Sequence, residues 1–166
     1  IPTQSSEIYE DAFFLKTSDL IADNNSILFS NNKNEFFSLD INSGILNWKQ
    51  KINSNLKSTL VDNIIFAVSM EGFLIVIDNH SGNIIRITDI FRQFKKKKRS
   101  RIKPVGFIVG SENIYLTTDH GRLMIIDIIT GRTKSMLKID NDKISRPFVL
   151  NQNLYIIKEN SIIRLN

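Results

Sequence analysis

The sequence predicts an all-β protein, a β-propeller of about four blades, each blade a four-stranded antiparallel sheet. Three Asp-x-x-[Ser/Thr]-Gly turns each follow an apolar run, and they span Asp40 to Gly44, Asp78 to Gly82 and Asp127 to Gly131. Their glycines are 38 and 49 residues apart, and a period near 40 residues made of short strands is typical of propeller blades. No stretch of about ten residues or more follows a helical period, which argues against a parallel sheet with crossover helices.

Each repeat divides into the same strands, separated by turns rich in Asn, Asp and Gly. The predicted first strands are 19–22, 57–61, 104–109 and 146–150. The second strands are 26–30, 64–69, 114–118 and 154–158. The third strands are 35–39, 73–77, 123–126 and 162–165. The fourth strands are 46–52, 84–90 and 133–139, and the last repeat stops after its third strand.

The third strands support stacked sheets rather than one open sheet. Residues 73–77 and 123–126 are continuously apolar instead of alternating with polar residues. An antiparallel strand of this kind is covered on both faces. Because helices are absent from the prediction, neighbouring sheets must provide the cover, as blades do around a propeller axis.

We therefore expect residues 1–166 to form part of one propeller domain. The predicted blades are about 17–52, 53–91, 102–140 and 144–166, with an N-terminal strand in 1–16 and an insertion at 92–101. The apolar piece at 12–15 belongs either to the outer strand of a preceding blade or to the last blade, where it would pair with 162–165. Pairing the two ends of the chain would remove exposed strand edges.

Composition limits the possible functions. At 166 residues and 42% hydrophobic content the chain is large enough for a buried core. It has no Cys, so it holds neither a disulfide nor a thiolate metal site. No apolar run reaches the length of a spanning helix, and the first residues lack the features of a signal peptide. Because the sequence starts at Ile1, we expect a segment upstream of it.

Charge is concentrated in one place. Residues 92–103 contain eight basic residues and no acidic one, so the rest of the chain carries −3 although the formal net charge is +5. This pattern indicates a mildly acidic body with one basic segment.

The stretch DINSGILNW, Asp40 to Trp48, resembles the repeat of PQQ-like propellers, in which a Trp follows the Gly of the turn by four residues. The order of elements and the ending on a third strand resemble the C-terminal half of the BamB-like lipoproteins. This resemblance implies half of an eight-bladed ring and a non-catalytic scaffold without a cofactor. It also implies a periplasmic location, with a lipid anchor at the outer membrane upstream of the chain, and a role in β-barrel protein assembly. The implied partner is the periplasmic part of the barrel-assembly protein. Two repeats depart from the pattern, because Arg86 and Ser135 occupy the Trp positions.

The recurring residues have a structural and a functional interpretation. Asp40, Asp78 and Asp127 form either an acidic site or the openings of three turns, and their repetition favours turns closed by glycines with positive φ. Trp48 is either a ligand platform or a wedge between blades, and its repeat position favours the wedge. His80 and His120 fall in turns at opposite ends of the blades, which excludes a shared metal site within the predicted ring.

The basic segment is the candidate for contact with an anionic surface. Its plain interpretation is a solvated loop. The functional alternatives are anionic lipid or lipopolysaccharide, an acidic protein, and weakly bound nucleic acid, which ranks last because no aromatic residues alternate with the charges. In the membrane alternative, Phe91 and Phe94, which flank the charges, insert into the interface. The candidate contact residues are Arg92, Lys95, Lys96, Lys97, Lys98, Arg99 and Arg101.

Two alternative functions remain at this point. The first is a fragment of a PQQ-dependent dehydrogenase, although the vicinal disulfide of many such enzymes cannot form here and no calcium-site residues stand apart from turn residues. The second is a propeller that binds cell-envelope polymers. In either case half a ring exposes the apolar faces of its end blades. We therefore expect an N-terminal half or a second copy to cover them.

Overall fold

Four antiparallel sheets, each built from consecutive strands, make up the fold. The computed structural model describes residues 15–165. Sheet 1 contains β1 (Ile21–Ala22), β2 (Ser26–Asn31), β3 (Glu35–Asp40) and β4 (Leu46–Gln50). Sheet 2 contains β5 (Thr59–Val61), β6 (Ile64–Val68), β7 (Phe73–Asp78) and β8 (Ile84–Asp89). Sheet 3 contains β9 (Pro104–Val109), β10 (Asn113–Thr118), β11 (Arg122–Asp127) and β12 (Thr133–Lys138). Sheet 4 contains β13 (Phe148–Leu150), β14 (Asn153–Lys158) and β15 (Ser161–Leu165).

Within every sheet the strands lie side by side in chain order. The predicted all-β fold with repeated four-stranded units is confirmed, and the predicted strand limits agree with the observed ones to within two residues. Sheets 1, 2 and 3 each shift register between the third and fourth strand, immediately before the Asp turn. One helical turn, α1 (Lys96–Arg99), lies in the insertion between sheets 2 and 3.

The core consists of layers between neighbouring sheets. In β7, Leu74 and Val76 face the cluster between sheets 2 and 3, while Ile75 and Ile77 face the cluster between sheets 1 and 2. All four are at most 6% exposed, so this strand is covered on both faces as the apolar run predicted. A smaller cluster that includes Ile156 joins sheets 3 and 4.

The series of sheets is open between sheet 4 and sheet 1. Within residues 15–165, no buried apolar cluster joins these two sheets. Sheet 4 leaves Leu150, Ile157 and Ile162 exposed. The predicted N-terminal strand, with its possible pairing to 162–165, falls almost entirely on residues outside the described part of the chain. No helix among the described residues is long and apolar enough to cross a bilayer.

Candidate functional site

The three repeated Asp side chains each organise a turn. Oδ1 of Asp40, Asp78 and Asp127 accepts hydrogen bonds from the backbone N–H three residues later, at 2.8, 2.7 and 2.7 Å. It also accepts one from the hydroxyl of that same Ser or Thr, at 2.7, 2.8 and 2.9 Å. These donors hold the pKa of all three carboxyls below the usual range. One oxygen of each carboxylate is thus occupied by the turn.

The glycines complete these turns. Gly44, Gly82 and Gly131 have φ of 68°, 72° and 70°, in the region that favours glycine. Their N–H groups donate to the carbonyl of the preceding Asp at 2.9, 2.8 and 2.8 Å. The chain therefore reverses at the same place in three sheets.

The outer strands of sheets 1 and 2 each reach across to the turn of the next sheet. Trp48 stacks on Phe36 and donates from Nε1 to the carbonyl of Asn79 at 2.8 Å. Arg86, in the equivalent position of sheet 2, donates to the carbonyl of Ile128 at 2.8 Å. Both acceptors follow the turn Asp by one residue, so Arg86 reproduces the hydrogen bond of the Trp without its ring. The sequence pattern indicated that the contact made by Trp is missing at position 86, and it did not reveal that Arg86 replaces its hydrogen bond.

The turn end of the sheets carries exposed isoleucines. Ile45 is 67% exposed and Ile129 is 79% exposed. Ile41, Ile84 and Ile85 in and beside the same turns are also exposed. Sequence reasoning missed these residues, although the signal was present as apolar residues at the variable positions of a polar turn motif. Exposed apolar groups gathered at one end are typical of a protein-binding surface.

The basic segment is an anchored structure. Phe91 is fully buried, Phe94 is 9% exposed and Ile102 is 1% exposed, and all three belong to the cluster between sheets 2 and 3. The expectation that Phe91 and Phe94 insert into a membrane is therefore wrong. Their rings fill the space between two sheets, where burial of apolar surface is favourable.

The charges of this segment divide into two groups. Arg99 forms an ion pair with Asp89, and Lys98 lies over the Phe94 ring with Nζ 5.5 Å from its centroid. The side chains of Arg92, Lys95, Lys96, Lys97 and Arg101 are exposed, and no carboxylate of the described residues pairs with them.

The basic segment and the Asp turns lie at opposite ends of the sheets. Ile90 N–H donates to the carbonyl of Gly72 at 3.0 Å, and Lys103 N–H donates to Oδ1 of Asp119 at 2.8 Å. Both acceptors belong to turns between second and third strands. Because β7 and β11 run from these turns to the Asp turns, the segment is one strand length from Gly82 and Gly131. His80 and His120 are likewise in turns at opposite ends.

A central cavity of about 650 Å³ is surrounded by the first strands of all four sheets. Its wall includes Ile21, Leu60, Phe107 and Phe148. Arg146 of the sheet 4 side lies 3.2 Å from a carboxylate oxygen of Asp19 on the sheet 1 side, and this exposed ion pair crosses the gap between the end sheets. Among the described residues no group of three or more His, Asp or Glu side chains is placed to hold a metal ion.

Comparison with known proteins gives a family and a fold. A family described as outer membrane protein assembly factor BamB matches residues 2–88, just over half of the chain. No protein of curated function matches the sequence.

Several solved structures have the same fold. BamB from Moraxella catarrhalis superposes with a TM-score of 0.71 at 12% identity, over 89% of this chain and 41% of that protein. The computationally designed Ika4 protein gives 0.69 at 11% identity, over 90% of this chain and 89% of the design. The β-propeller domain of Cps50 (Swd1) from Myceliophteria thermophila gives 0.66 at 13% identity, over 84% of this chain and 48% of the domain. The chain thus spans about two fifths of the length of the BamB structure that it matches.

Proposed function

Because the chain belongs to the family of outer membrane protein assembly factor BamB, we propose that it is a non-catalytic scaffold of the cell envelope. It supports the assembly of outer-membrane β-barrel proteins by binding a protein of the assembly machinery in the periplasm. The family match over half of the chain carries this proposal. The similarity of the fold to the Moraxella catarrhalis protein supports it.

The arrangement of side chains favours binding over catalysis. The conspicuous Asp residues are occupied by turn hydrogen bonds. The residues that the turns leave free are the exposed isoleucines at the same end, such as Ile45 and Ile129. The buried core of a protein interface is more apolar than the rest of the protein surface. We therefore assign the turn end to the protein partner.

The open ends of the sheet series belong to the same proposal. The chain covers 41% of the Moraxella catarrhalis BamB structure, and sheet 4 exposes Leu150, Ile157 and Ile162. Further blades, from an N-terminal half or from a second copy, cover these faces in the working assembly. The exclusion of water from the apolar faces would stabilise that assembly.

Binding to the periplasmic domains of the barrel-assembly protein tests the proposal. We expect measurable affinity for the native chain and at least a tenfold loss in the Ile45→Asp, Ile129→Asp double variant, since a charge in an interface core costs more than 1.4 kcal/mol. Leu137→Asp, which changes an exposed apolar residue at the far end of the outer strand of sheet 3, is the control and should bind normally. Absence of binding by the native chain contradicts the scaffold function. Equal losses in both variants contradict the assignment of the turn end.

One competing function is that of a PQQ-dependent dehydrogenase fragment. It needs an experimental test because the first strands surround a cavity. Adding pyrroloquinoline quinone and calcium to the chain and measuring dye reduction with alcohols and sugars distinguishes the two functions. A scaffold reduces no dye, whereas turnover would replace the proposal with an enzymatic one.

A further inference from the structure

We propose that residues 92–103, here called the cationic platform, dock the protein onto the phosphate headgroups of an anionic lipid bilayer. The platform holds eight basic residues and no acidic one. Each basic residue close to an anionic membrane strengthens binding by a factor of about five. This inference does not depend on the scaffold function, because it concerns the opposite end of the sheets.

The platform has a fixed position relative to the sheets. Phe91, Phe94 and Ile102 anchor it in the core between sheets 2 and 3. Asp89 holds Arg99 by an ion pair and also accepts the Phe91 N–H at 3.0 Å. At both ends the platform is tied by backbone hydrogen bonds to turns of sheets 2 and 3. The basic side chains are therefore presented from one place on the surface, and little backbone entropy remains to be lost when they bind.

The basic residues of the platform have two roles, since one is paired within the protein and others are available for binding. Arg99 is used inside the protein, where it neutralises Asp89. Arg92, Lys95, Lys96, Lys97 and Arg101 point into solvent without a carboxylate partner among the described residues. Five unpaired cations within ten residues repel one another. An external array of anions relieves that repulsion.

The chemistry of the platform favours a membrane over an acidic protein and over single-stranded nucleic acid. An interface with an acidic protein needs a buried apolar or aromatic centre, and α1 buries no residue while the flanking phenylalanines are already in the core. Single-stranded nucleic acid needs exposed rings for base stacking, and the platform exposes none. A bilayer surface requires charge alone.

Vesicle co-sedimentation of the full chain tests the proposal. The probes are phosphatidylcholine vesicles with and without phosphatidylglycerol. We expect binding that requires phosphatidylglycerol and falls steeply with added salt. The Lys95→Gln, Lys96→Gln, Lys97→Gln variant should bind on the order of 100-fold more weakly, since three charges are lost.

A control variant with the same change in net charge makes the result specific. Arg132→Gln, Lys134→Gln, Arg164→Gln removes three exposed charges towards the Asp-turn end of sheets 3 and 4, away from the platform, and it should retain most of the binding. Far-ultraviolet circular dichroism checks that both variants are folded, which we expect because none of the six residues is buried.

Three results would overturn the proposal. One is equal vesicle binding by the platform variant and the native chain. Another is an equal loss in the control variant, which would reduce the effect to net charge. The third is a platform variant that loses affinity for poly-glutamate but keeps its affinity for vesicles, which would replace the membrane with an acidic protein.

Discussion

The contact between Trp48 and the turn of the next sheet can be measured with two alanine substitutions. An ideal Cβ at Gly82 would lie 2.5 Å from Cγ of Trp48, whereas one at Gly44, in the same turn of sheet 1, has nothing within 4 Å. Both glycines have nearly the same positive φ, 72° and 68°. Gly44→Ala therefore reports the backbone strain alone, and Gly82→Ala reports the strain and the collision.

The expected magnitudes follow from these two terms. Alanine in the left-handed region costs about 1 kcal/mol, so Gly44→Ala should lower the free energy of unfolding by that amount. Displacing the Trp48 ring adds about 2 kcal/mol, as other overpacked sites do, which gives about 3 kcal/mol for Gly82→Ala. In a Trp48→Ala background only the Cβ of residue 48 remains, 3.0 Å away, so most of the collision is relieved and Gly82→Ala should cost little more than about 1 kcal/mol. The coupling in the double-mutant cycle is then about 2 kcal/mol.

Urea unfolding followed by circular dichroism is the suitable assay, because Trp48 is the only Trp and its removal abolishes the fluorescence signal. The comparison requires equal denaturant slopes in the four proteins. Equal costs for Gly44→Ala and Gly82→Ala, or a coupling of zero, would refute the packing of Trp48 on the neighbouring turn.

Three further predictions concern the contact between sheets 2 and 3, the Asp turns and the exposed apolar side chains of sheet 4. Arg86→Ala should lower the free energy of unfolding by about 1 kcal/mol, because the hydrogen bond to the carbonyl of Ile128 is lost. Urea titrations measure this loss, with the exposed Arg132→Ala as control. Equal losses in the two variants would contradict the contact between Arg86 and sheet 3. Folding lowers the pKa of Asp78 below its ordinary value of 3.8, so its contribution to stability is present above about pH 4 and is lost as pH falls through the folded pKa. Asp78→Asn should flatten the acid side of the stability profile measured by urea titration, and an unchanged profile would argue against the turn bonds. The isolated chain should exceed its monomer mass of 19.1 kDa in light scattering, because apolar faces are open, and Ile162→Asp should reduce that mass; a monodisperse native monomer would contradict the expectation.

The strands were predictable because the turns that separate them have local chemistry. Asp78 and Gly82 specify their reversal by hydrogen bonds that span three and four residues, so a short window of sequence contains the whole cause. The continuous apolar run in β7 likewise predicted its burial on two faces. Structure of this kind is visible in sequence because its determinants are close together along the chain.

The Arg86 contact and the burial of Phe91 and Phe94 depend on residues far apart in sequence, and neither was predicted. Arg86 looks like the loss of a Trp, yet a long donor reaches the carbonyl of Ile128, 42 residues away. Phe91 and Phe94 stand beside lysines in sequence, and local composition therefore suggested exposure. The space between sheets 2 and 3 that buries them exists only after both sheets have formed.

The contacts between neighbouring sheets also determine the order in which the sheets unfold. Trp48 ties sheet 1 to sheet 2, and Arg86 ties sheet 2 to sheet 3, so each layer depends on its immediate neighbours. Such a linear array opens from its weaker end. Sheet 4 is that end, because it has three strands and is held by the smallest buried cluster of the described chain. Its amides should exchange with solvent first, while those of β7 should exchange near the limit set by global unfolding. The least protected layer is therefore the one that also exposes the apolar side chains of Leu150, Ile157 and Ile162.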